Sequence, residues 1–227
     1  CIGVGDVLRK RGHRVVFAAE ASWKGKLTAL GFEEDLVDLA PAPEASDDGE
    51  EQDAGAFWKE FIRETAPEFR KPTVQQLETF IKPTWQALID GAVYCEPQLK
   101  QIIERVQPDV IVEDNVLCFP ALVTAGVPFV RIVSCNPLEV KGAGIAPTFS
   151  GLPQNDSSEW QSFREEYEHT HREMWTAYNE WVVAQGAPAL ADLEFIHTSE
   201  HANLYVYAEE ADYTDVRPLD ATWHRMD

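Results

Sequence analysis

The residues of this 227-residue chain best suited to chemistry sit in two triplets, Glu113-Asp114-Asn115 and Ser134-Cys135-Asn136. Each follows an apolar run rich in β-branched residues: Val110-Ile111-Val112 before the first, residues 129–133 before the second. Such runs are expected of parallel strands buried on both faces. Residues 118–124 between them read as a helix, and Gly126-Val127-Pro128 as a turn. Two parallel strands joined by a helix deliver their last residues to the same edge of a sheet, and in open α/β sheets ligands bind at that edge. A carboxylate there, Asp114, can orient a base or hold a hydroxyl. The plainer role for a polar residue closing a strand is to form a turn or cap a helix. Glu113 is one strand position earlier and is expected to point to the opposite face.

Other chemistry-bearing residues make weaker patterns. The four cysteines, Cys1, Cys95, Cys118 and Cys135, are far apart and form no CxxC, which fits neither a disulfide scaffold nor zinc spacing. Cys118 and Cys135 lie among apolar residues and read as small buried hydrophobes of a reducing compartment. His169 and His171 are two apart on an expected helix and share no face, so no metal site is read there. Gly142-Ala143-Gly144 lacks the third glycine and the strand-to-helix context of a dinucleotide fingerprint. The acidic stretch from Ser46 to Asp53 lacks the alternating ligands and closing glutamate of a calcium loop and reads as a solvated loop.

The elements that must position the two triplets follow an α/β rhythm. Residues 1–11 read as a helix with a basic last turn, capped by Gly12, and lead into a strand at 15–19. A helix at 23–30 with Ser22 as its cap, and an edge strand at 32–39, come next. A helix opening a parallel α/β unit normally follows a strand, and the chain begins with Cys, so one strand and its loop are expected upstream of residue 1. Residues 55–106 read as helix broken by Pro67, Pro72, Pro83 and Pro97, with Pro97 opening a last helix over 98–106. Trp58, Phe61 and Trp85 in this segment are core residues first and pocket residues second. After Asn136, residues 137–155 form a Gly- and Pro-rich loop over the ligand edge. A long helix at 158–185 carries an aromatic stripe, from Trp160 to Trp181, that packs on the sheet or under the loop. A strand at 203–207 follows. Residues 215–227 show no periodicity and read as a linker.

Composition narrows the function. With 39 acidic against 19 basic residues the net charge is −20, which repels phosphate backbones and anionic lipid and argues against nucleic-acid or membrane-surface partners. No apolar run reaches the length of a membrane span, and no signal peptide is present, so the expected compartment is the cytoplasm.

The segments RKRGHRVVFAAE (9–20), PDVIVEDNVLCFPALVTAGVPFVRIVSCNP (108–137) and NLYVYAEEADY (203–213), in this order around a helical interruption and a long helix, resemble the N-terminal half of a GT-B glycosyltransferase. The resemblance is strongest to the UDP-glycosyltransferase superfamily, in particular to bacterial macrolide and natural-product glycosyltransferases. It implies a Rossmann-like parallel β-sheet flanked by helices. Residues 1–214 would be the acceptor-binding domain, residues 215–227 the start of an interdomain linker, and a donor-binding domain would follow. The chain itself would bind no cofactor; a nucleotide-diphosphate sugar would be the co-substrate of the whole protein, and its other partner a small, apolar, hydroxylated acceptor. The family's catalytic pair is a His and an Asp. The Asp matches Asp114, and the His would lie in a loop upstream of residue 1, so the chain alone is expected to be inactive. His13, before the second strand of the family pattern, is a structural position there. Asn115, Phe119, Ser134 and Asn136 are the expected acceptor contacts. The helix after Asp114 is shorter than the family's. The competing readings are a non-enzymatic α/β module holding a small molecule at the same edge, and a different GT-B enzyme such as an epimerase.

Overall fold

The computed structural model describes residues 1–41 and 56–226. The acidic stretch at 46–53 lies outside these residues, as does the side chain of Trp58. The fold is α/β, with parallel strands flanked by helices. Helix α1 (Ile2–Lys10) carries Arg9 and Lys10 in its last turn, where they complement the dipole. Gly12 follows at φ +90°, the left-handed conformation that ends a helix with least strain in glycine. Strand β1 (Val16–Glu20) then pairs in parallel with β2 (Glu33–Val37). The helix expected between them is reduced to a 3₁₀ turn, Ala21–Trp23, and a single turn α2 (Lys26–Ala29). Ser22 does not cap it. Glu34 does the work instead, its carboxylate accepting the backbone N–H groups of Gly25 at 2.5 Å and Thr28 at 3.1 Å.

The helical interruption contains α3 (Ala56–Thr65), a 3₁₀ segment (Ala66–Arg70), α4 (Thr73–Gln76), a π-helical turn (Leu77–Ile81) and the 25-residue α5 (Lys82–Val106). Pro67 and Pro72 sit at or before first turns, where a missing N–H costs least, and Pro83 follows directly on the π-helical turn without breaking the helix. Pro97 does not open a new helix; it lies inside α5. The helix continues because Cys95, Leu99 and Ile102, around the proline, are buried against Val37 and Ala121. Burying side chains of this size contributes about 1.5–3 kcal/mol each, which offsets one lost backbone bond.

The larger sheet has the order β3 (Ile111–Glu113), β4 (Phe129–Val133), β5 (Ala202–Tyr205), β6 (Trp223–Arg225), all parallel. Two sequence expectations change here. Val110-Ile111-Val112 is not a strand buried on both faces: Val110 is 46% exposed, and among the described residues β3 pairs with β4 alone. The stretch from 215 does not stay irregular, because Trp223–Arg225 adds β6. Three strand residues are too few for a period-2 pattern to show. Helix α6 (Pro120–Val123) follows β3, and α7 (Trp160–Ala184) follows β4 after a long loop. The aromatic stripe of α7 is core. Met174, Tyr178 and Val182 pack with Ile89 and Ala92 of α5, with Leu117 and Cys118, and with Phe195. Trp85 stacks on Phe195 at 4.4 Å and belongs to the same core. No helix among the described residues is long and apolar enough to cross a membrane.

Candidate functional site at the β3–β4 edge

Asp114 and Ser134 each lie one residue past the end of a strand, and the β3–β4 ladder fixes their separation. Ser134 Oγ donates to Asp114 Oδ1 at 2.6 Å. The other carboxylate oxygen, Oδ2, accepts from the ammonium of Cys1 at 3.3 Å. The Asp114 side chain is 25% exposed, so it is open to a ligand and held by donors at once.

The loop after Asp114 is pinned along its length. Asn115 Oδ1 accepts from the N–H groups of Val116 at 2.7 Å and Leu117 at 3.3 Å. Cys118 donates its N–H to the Phe195 carbonyl at 2.7 Å, and the Tyr178 hydroxyl donates to the Cys118 carbonyl. Phe119 has extended backbone and no capping side-chain bond, so α6 begins without a local cap. The buried Glu96 of α5 supplies it, accepting the Ala121 N–H at 3.2 Å. A carboxylate at a helix N-terminus is favourable for the dipole. A backbone held at so many points cannot drift, and Asp114 is its first residue.

The expected acceptor contacts divide by location. Asn115, Ser134 and Asn136 are exposed at the edge. Asn136 also caps the turn Pro137–Glu139, its side chain accepting the Leu138 N–H at 2.8 Å. Phe119 is half-buried and packs into the two clusters around α5. Of the described histidines, His13 is exposed before β1, and His171 is buried on α7 with its Nδ1 within 3.0 Å of the Tyr167 carbonyl.

Behind the edge lies a group of charges whose partnership the sequence did not show. Glu113 is 4% exposed, and neither carboxyl oxygen has a hydrogen-bond partner among the described residues. Burial pushes its carboxyl well above the usual range, with the Arg131 charge pulling the other way. Arg131 stands beside it in the β-ladder and donates to Glu139 Oε1 at 2.8 Å. Glu139 is likewise raised by desolvation, against the bond from Arg131. A second buried arginine, Arg217, donates to the Pro137 carbonyl at 2.6 Å and to Tyr205 Oη at 3.0 Å. It also contacts the Val140 carbonyl and Asp212. Arg225 of β6 takes the other Asp212 oxygen at 2.5 Å. The segment after β5 is thereby fastened to the loop that leaves β4.

Two cavities flank this framework. One of about 350 Å³ lies between the loop after β4 and α7, lined by Lys141, Pro147, Phe163, Arg164, Tyr167 and Leu193 among others. Another of about 400 Å³ lies among Tyr205, Pro218, Leu219 and Trp223. The sequence offered the aromatic stripe of α7 as a signal for the first and none for the second.

No protein-family profile matches the sequence, and no curated protein matches it significantly. Among solved structures, Spinosyn Forosaminyltransferase SpnP is similar, with a TM-score of 0.47 and 16% identity over 98% of this chain. This chain spans 45% of that protein's length.

Proposed function

We propose that this chain is the acceptor-binding half of an inverting glycosyltransferase of GT-B type. Such an enzyme transfers a sugar from a nucleotide-diphosphate sugar to a hydroxyl of a small, apolar acceptor. The reading rests on the sequence resemblance, and the observation that carries it is the state of Asp114. Its carboxylate sits at the C-terminal edge of parallel strands, with the Ser134 hydroxyl on one oxygen. A carboxylate fixed in this way and partly exposed can orient an imidazole, which supports the reading.

In the proposed reaction the imidazole of a histidine upstream of residue 1 takes the proton of the acceptor hydroxyl. The hydroxyl oxygen attacks the anomeric carbon and forms the new C–O bond. The bond to the diphosphate breaks, and the nucleotide diphosphate leaves with the electron pair. Asp114 Oδ2 accepts the other N–H of the imidazole, fixes its tautomer and stabilises the imidazolium that forms. Asn115 and Asn136 are proposed acceptor contacts on either side, with Phe119 in the floor beneath them. The donor-binding domain would follow the chain.

The test is a screen of the full-length protein carrying this chain. Acceptors would include 4-nitrophenol, hydroxylated flavones and macrolide aglycones, offered with UDP-glucose and TDP-glucose and followed by mass spectrometry. Acceptor-dependent formation of a glycoside that fails with Asp114→Asn supports the reading. Binding of acceptors without transfer under any donor rejects it in favour of a binding module.

A further inference from the structure

We propose that Ser134 is a positioning residue that holds the Asp114 carboxylate in its working orientation, and not an acceptor contact. The inference rests on the dyad reading of Asp114 given above.

An aspartate side chain has two torsions, and its carboxyl group can rotate so that either oxygen faces the ligand edge. An orienting carboxylate must stay within roughly 0.5 Å and 10–20° of the productive geometry to be useful. The Asp114 side chain is partly exposed, so neighbouring bulk does not lock it; a hydrogen bond must. Ser134 Oγ supplies that bond to Oδ1 at 2.6 Å, the short distance of a hydroxyl donating to a charged oxygen. The serine comes from the adjacent strand, whose register to β3 is set by the Ile111–Phe129, Val112–Val130 and Glu113–Arg131 pairs. The bond is therefore anchored in the sheet and not in a loop. With Oδ1 engaged by Ser134, Oδ2 is the oxygen left to face a reacting partner. The two oxygens thus have separate tasks, one structural and one toward the reacting partner.

A hydroxyl donating to Asp114 cannot also donate to the acceptor, because its one proton is committed. This separates the two roles experimentally. In the full-length protein, with the donor and acceptor found by the screen above, Ser134→Thr keeps the hydroxyl, and Ser134→Val has the shape of the threonine variant with a methyl in place of the hydroxyl. The expected result is that the threonine variant keeps kcat within twofold. The valine variant should lose about tenfold in kcat, the scale of one hydrogen bond to a charged group, with acceptor KM within twofold. In an Asp114→Asn background the same valine substitution should cost less than twofold, because the group it positions is gone.

A valine variant with normal kcat overturns the proposal while leaving the dyad intact. So does one with raised acceptor KM and unchanged kcat, which returns Ser134 to the acceptor pocket. So does a tenfold loss that persists in the Asp114→Asn background, which marks a general structural role. Near-normal turnover by Asp114→Asn alone rejects the dyad reading itself, and Ser134 falls with it. Circular dichroism and thermal melting of each variant establish folding, and Ser134→Ala serves if the valine does not fold.

Discussion

Glu113 and Asp114 are consecutive acids on one strand end, and the sheet puts them in opposite worlds. Glu113 points inward, is desolvated, and finds no hydrogen-bond partner for either oxygen among the described residues. Asp114 points to the edge, stays partly wet, and accepts the Ser134 hydroxyl. A carboxylate is useful to a reacting group when its direction is fixed, and the Ser134 hydroxyl fixes that of Asp114. Glu113 is placed otherwise: burial disfavours its charge, and Arg131, its partner in the ladder, is committed to Glu139. The difference comes from the period-2 alternation of a strand, with no difference in residue chemistry.

The widest separation between the two faces should appear in turnover. In the full-length protein, Asp114→Asn is expected to lower kcat by about 10³- to 10⁴-fold, as removal of an orienting aspartate does. Its melting temperature should stay within a few degrees of wild type, because the residue is at the surface. A large loss of stability with modest loss of rate would erase the contrast with Glu113. On the buried side the largest expected effect is on folding. Arg217→Ala leaves Asp212, whose side chain is fully buried, with one cation in place of two, and removes donors from the Pro137 and Val140 carbonyls. Breaking such a buried pair costs about 3–5 kcal/mol, measurable by urea denaturation. Loss of activity by this variant at temperatures where it remains folded would show that the clamp also shapes the edge.

Much of this contrast was legible before the structure, and the rest was hidden for physical reasons. The strand-turn-helix-strand reading of residues 107–136 needs only hydrophobic runs and turn residues; β4 lies where it puts it, β3 is one residue later, and the helix shortens to the single turn α6. The alternation rule alone sends Glu113 and Asp114 to opposite faces. The Ser134–Asp114 bond spans 20 residues of sequence, and no local pattern reports it. Glu34 capping α2 and Glu96 capping α6 are likewise acids brought from elsewhere, so Ser22, the local candidate, was preferred wrongly. Pro97 was given a helix start because propensity is local, whereas the packing of α5 against Val37 and Ala121 is tertiary. Strand β6 exists only because β5 offers it an edge.

Protonation divides the buried side further. His171 is fully buried, and desolvation lowers its imidazole to about 4, against the Tyr167 carbonyl bond that favours the charged form and with Lys82 and Lys141 adding to the lowering. A histidine depressed in the folded state binds fewer protons there than when unfolded. Stability from this group is therefore full above about pH 6.5 and falls as pH drops toward 4. His171→Phe should reduce that acid loss by about 3 kcal/mol between pH 6.5 and pH 4 relative to wild type. Equal acid sensitivity in the two proteins would place the titration elsewhere.

The smallest effect returns to Glu113 and has the opposite sign. Its folded-state carboxyl is raised, so the folded protein holds a proton that the unfolded chain has released. Stability from this group is present at low pH and is lost as pH rises, with a slope of at most about 1.4 kcal/mol per pH unit between the unfolded and folded pKa values. Glu113→Gln keeps the shape and removes the titration. At pH 7 the variant should be more stable than wild type, a gain that shrinks toward pH 4, and turnover should not change. The same isosteric change one residue later is expected to abolish most of the activity and none of the stability. If instead Glu113→Gln lowers kcat as Asp114→Asn does, the buried acid communicates with the edge through Arg131 and Glu139. The two faces of the strand would then be one site.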